Sequence, residues 1–69
     1  MCLSTVYSLN GNEKKLIQEN VAGVRTENGK LILINILGVK TEIDAEIDCI
    51  DLMENVITVK MASAGIKQN

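Results

Sequence analysis

Apolar and polar residues alternate with a period of two along most of this chain, the period of β-strands rather than helices. Residues 2–9 set Leu3, Thr5, Tyr7 and Leu9 against Ser4, Val6 and Ser8, and Asn10-Gly11-Asn12 then signals a turn. Residues 16–26 carry a second strand pattern, in which Gly23 predicts a bulge or a close backbone approach. Asn28-Gly29 is the strongest hairpin signal in the chain. It leads into residues 31–37, which are apolar on both faces apart from Asn35. Gly38 is expected to break or bend the chain. Residues 41–50 alternate again, with Ile43, Ala45, Ile47 and Cys49 opposed to Glu42, Asp44, Glu46 and Asp48. A helix would split both sets across its surface, so a single strand is expected, with Cys49 pointing into the core. Residues 51–55 connect to a last strand, 56–61, with Ile57, Val59 and Met61 on one side. The tail, 62–69, is small and polar and is expected to be loosely ordered.

These elements predict an all-β fold: a small antiparallel sheet of five or six strands, curled into an SH3-like barrel to hide its edges. Val, Ile and Thr supply 19 of the 69 residues, which favours the same reading. One domain, 1–69, is all that such a length accommodates. So small a barrel encloses few side chains, and the doubly apolar stretch 31–37 has more hydrophobic surface than it can use. At about 25 cal/mol per Å² of buried apolar surface, covering that excess with a second copy is favourable. A homodimer is therefore expected.

Composition narrows the chemistry mainly by what it lacks. The chain is 46% hydrophobic, too apolar for disorder, yet Tyr7 is its only aromatic residue, and it has no His and no Pro. Without His, Ser–His and Cys–His nucleophiles and imidazole metal ligands are excluded, so no enzyme is expected. The net charge is −2, and the seven basic residues are scattered, with only Lys14 and Lys15 adjacent. Nucleic-acid binders use basic stripes and aromatic stacking platforms, and neither is present. No apolar run approaches the ~20 residues of a membrane span, and no signal-peptide pattern opens the chain. The expected compartment is the cytoplasm, where Cys2 and Cys49 are free thiols.

Three features are candidates for chemistry. Glu42, Asp44, Glu46 and Asp48, continued by Asp51 and Glu54, form a carboxylate ladder with no basic residue between Lys40 and Lys60. Alternate residues on a strand lie ~7 Å apart, too far to converge on one cation, so the ladder reads as a solvated face. Tyr7, at alternating spacing, reads as a core residue with its hydroxyl at the rim. Cys2 is different. A thiolate is a soft ligand that selects metals such as Zn²⁺, Cu⁺ or Ni²⁺. With Met1 removed, the α-amine and thiolate of Cys2 close a five-membered chelate, and both groups titrate at about 8 as model compounds, so a metal displaces their protons near neutral pH. Two chains meeting at a two-fold axis would supply two thiolates and two nitrogens, a set that suits square-planar Ni²⁺.

The opening Met1-Cys2-Leu3-Ser4-Thr5-Val6-Tyr7 resembles the start of the CooT family, small proteins that accompany nickel-dependent carbon monoxide dehydrogenase. The likeness continues through Leu16-Ile17-Gln18-Glu19-Asn20-Val21-Ala22, Leu37-Gly38, Ile50-Asp51-Leu52 and Asn55-Val56-Ile57. It implies a homodimeric β-barrel that binds nickel through Cys2, one ligand from each subunit, and acts as a metal carrier or chaperone. The client it implies is a nickel enzyme such as carbon monoxide dehydrogenase. Members of the family also often carry an RNA-binding label, so a small-barrel RNA-binding module is the alternative. The family commonly has an acidic residue before a Leu-x-Gly segment, whereas this chain has Asn35-Ile36-Leu37-Gly38.

Overall fold

The computed structural model describes residues 3–61; the expectations for Cys2 and for the tail 62–69 lie outside them. Six strands follow one another: β1 (Ser4–Asn10), β2 (Glu13–Glu27), β3 (Lys30–Asn35), β4 (Lys40–Ile43), β5 (Ala45–Asp51) and β6 (Val56–Met61). They form one sheet in the order β4-β3-β2-β1-β6-β5. The sheet curls into a half-barrel that brings β5 against β3. Among the described residues no helix is long and apolar enough to cross a membrane.

Local chemistry explains most of the turns. Asn28 (φ 51°) and Gly29 (φ 77°) both adopt positive φ between the partners Glu27 and Lys30, the type I′ geometry that matches strand twist. The β2 strand is fifteen residues long, but its neighbours divide it. The β1 strand pairs with its first part, up to Val21, and β3 with its second part, from Val21 to Glu27. Two irregularities bend β2 at this junction. One lies between Gln18 and Val21, where Asn20 has φ 57°; the other lies between Val21 and Gly23, where a bulge was expected.

Four features correct the reading of the sequence. First, β1 and β6 run parallel, so the sheet is not wholly antiparallel. Parallel neighbours need a long crossover, and here everything from β2 to β5 serves as that crossover. Second, the alternating stretch 41–50 is two strands, β4 and β5, which form the two edges of the sheet. The chain bends at Asp44, and its alternation continues because Ile43 and Ala45 both pack on the core. Third, the inward face of β1 is Val6 and Ser8, leaving Tyr7 half-buried on the outer face. Ser8 faces inward because a narrow interior takes small side chains. The other residues of the hydrophobic core are of similar or moderate size: Val21, Leu31, Leu33, Ala45, Ile57 and Val59.

The fourth correction concerns Cys49, which is exposed. Residues opposite each other across a sheet share a face. Ile47 lies opposite the buried Val59, but a register shift follows, so Cys49 lies opposite Thr58 and Ile50 opposite Ile57. One extra residue in β5 moves Cys49 from the inner face to the outer one.

Candidate metal site at the start of the chain

Cys2 lies outside the described residues, so the site is built from its surroundings. Ser4 opens β1 opposite Val21, and Val21 in turn lies opposite Asn35 at the end of β3. On the other side, Thr5 lies beside Val56, which lies opposite Asp51 at the end of β5. One band across the sheet thus holds the start of β1 and the roots of two loops. The Asn35 and Asp51 roots each stand two strand spacings, about 10 Å, from β1, and the other end of the β5–β6 loop lies directly beside it. An open cavity of about 190 Å³, lined by Ser4, Val21, Ala22, Gly23, Val24 and Ile57, lies at the start of β1, where the second part of β2 extends beyond it.

Both loops are held by side-chain caps and present apolar tips. In the β3–β4 loop, the Asn35 Oδ1 accepts from the amides of Leu37 (2.8 Å) and Val39 (2.9 Å). The amide of Gly38 donates to the Asn35 carbonyl, and that of Asn35 to the Val39 carbonyl. Gly38 has φ 86°, a conformation that favours glycine. Ile36, Leu37 and Val39 point to solvent, Leu37 with 81% of its surface exposed. In the β5–β6 loop, the Asp51 Oδ1 accepts from the amides of Met53 and Glu54, both at 3.0 Å. Its tip carries Leu52, 81% exposed, and Met53, 91% exposed. The amide of Thr5 donates to the Asn55 carbonyl at 2.9 Å, which ties the start of β1 directly to this loop.

Sequence pattern took Ile36 and Leu37 as the end of a strand, which stops at Asn35, and passed over Leu52 and Met53. The signal of both tips is an apolar pair inside a turn-forming frame: Asn35-Ile36-Leu37-Gly38 and Asp51-Leu52-Met53-Glu54-Asn55. Loops are ordinarily polar, so apolar residues placed there by rigid caps are unusual.

The carboxylate ladder is dispersed. Glu42 stands on β4 and Glu46 and Asp48 on β5, with Asp44 at the bend between them. Among the described residues, no three His, Cys, Asp or Glu side chains come together in a metal-holding group. Two of the acids meet lysines on neighbouring strands instead: Lys30 Nζ lies 3.9 Å from Glu42 Oε2, and Lys60 Nζ lies 3.5 Å from Asp48 Oδ1. Such exposed pairs contribute ~0–1 kcal/mol each. Lys14 sits over the Tyr7 ring, 5.1 Å from its centroid, as a cation–π contact on the outer face.

The family model for the CO dehydrogenase accessory protein CooT matches residues 1–60. The chain is also similar to a CooT-assigned protein from Carboxydothermus hydrogenoformans whose crystal structure is known. The two share 27% identity over 87% of this chain and 97% of that one, with a TM-score of 0.80. No curated protein matches the chain.

Proposed function

Because this chain belongs to the CooT family of CO dehydrogenase accessory proteins, we propose that it is a non-catalytic nickel carrier, its cargo held by Cys2 from each subunit of a homodimer. The observation that carries this reading is the reach of the family match, which begins at residue 1 and so includes Cys2. The chemistry of the chain start agrees with it. A thiolate with an adjacent amine offers strong donors to Ni²⁺, and a second copy completes four-coordination without any histidine. A carrier must also release its cargo. Donors at a chain start exchange more readily than a cage formed inside a barrel, and protons compete for both the thiolate and the amine.

The β3–β4 loop supports the dimer. Ile36, Leu37 and Val39 are exposed, and the loop contains no acidic residue. It can therefore face its own image without like-charge repulsion, and its root lies about 10 Å from the start of β1. Calorimetric titration with Ni²⁺ tests the site. Cys2→Ser is expected to abolish high-affinity binding, and Cys49→Ser to leave it unchanged. Equal binding by wild type and Cys2→Ser would overturn the assignment.

A further inference from the structure

We infer that the β5–β6 loop, residues 51–54, is the contact by which this protein docks on a client whose receiving surface is an apolar cleft bordered by lysine or arginine. The inference rests on the accessory role proposed above and adds the surface through which that role is exercised.

Three observations converge on this loop. Its tip is the most exposed apolar surface of the described residues, with Leu52 and Met53 pointing to solvent. The unbranched, polarizable methionine side chain adapts to an apolar cleft, and burying it with the neighbouring leucine is enough to anchor a contact. The tip is also already ordered by the two amide bonds to Asp51 Oδ1, so little conformational entropy is lost on docking. Finally, the loop adjoins the start of β1 through the bond from Thr5 to Asn55, which sets any partner held there beside the metal-bearing end of the chain.

Charge identifies the occupant. Asp51 and Glu54 flank the tip, and no basic residue occurs between Lys40 and Lys60; the acids farther along β5 meet Lys60 on the neighbouring strand and leave the tip's own pair as the local charge. A second copy meeting this loop symmetrically would set Asp51 and Glu54 against their own images. An anionic lipid surface would be repelled as well. A protein cleft with a basic border satisfies both the apolar tip and its acidic flanks. The β3–β4 loop, equally apolar but without acids, has the opposite preference, and the two loops divide self-contact and client contact between them.

The test measures binding of the full chain to purified nickel-free CO dehydrogenase from the same organism, by biolayer interferometry at low and high salt. Wild type is expected to bind, and to bind less tightly at high salt. The double variant Leu52→Ser, Met53→Ser should lose about tenfold or more in affinity, and Glu54→Lys should weaken binding most at low salt. Leu16→Ser, an exposed apolar site on β2, should behave as wild type. A double variant that binds like wild type overturns the docking surface and leaves the accessory role intact. A wild-type chain that does not bind overturns both. If the double variant instead changes the sedimentation of the protein alone, the loop belongs to a contact between copies and the inference fails.

Discussion

Cys49 stands on the outer face of an edge strand with its side chain open to solvent, and this gives the chain two thiols of different consequence. In a Cys2→Ser background, a disulfide reagent added to folded protein is expected to label Cys49 as fast as it labels the unfolded chain. Slow labelling that accelerates in denaturant would mean that the thiol is inside. The same position shows why periodicity misleads at an edge. Ala45 and Ile47 follow the alternation, but the register shift before Cys49 adds a residue that no pattern of apolar letters marks. Tyr7 is a second case. Its alternating spacing suggested the core, yet the interior beside it admits only Val6 and Ser8, and the ring covers the outer face under Lys14. Side-chain volume, rather than polarity, decides which face of β1 turns inward.

The β3–β4 and β5–β6 loops depend on one oxygen each. Asn35→Ala removes the acceptor of two amides and is expected to lower stability by about 1 kcal/mol in urea unfolding. It should also speed hydrogen exchange at the Leu37 and Val39 amides. Asn35→Asp retains the acceptor and should preserve slow exchange. If Asn35→Ala leaves both amides as protected as in wild type, the cap does not hold the loop. Elements bounded by such local chemistry were legible in the sequence: the Asn28-Gly29 hairpin and the turn at Gly38 follow from short-range φ requirements, and Gly23 marks a register shift. Pairings between distant segments were not. Nothing near β1 or β6 in the sequence announces that they lie side by side and parallel, because that contact is set by how β2 to β5 wrap between them. Asp44 carries no Gly or Pro to mark its bend, so β4 and β5 read as one strand.

For the assembly, a shared Cys2 site fixes a stoichiometry. Native mass spectrometry is expected to show two chains with one Ni²⁺, and sedimentation should show the dimer strengthened by the metal. One Ni²⁺ bound tightly to a single chain would rule out the shared site. The metal would then act as a clasp between copies, and loading and dimerisation would be linked: each raises the affinity for the other by the same factor. Within one copy, the bend at Asp44 acts in a comparable way. The edge strands of an open sheet ordinarily fray independently, each at its own low cost. Here a single residue separates β4 from β5, which are the two ends of the strand order. Peeling either one away pulls on the other across the mouth of the half-barrel, so the weakest parts of the sheet open together or not at all. The rim behaves as a closed hoop whose breaking strain is shared by both margins.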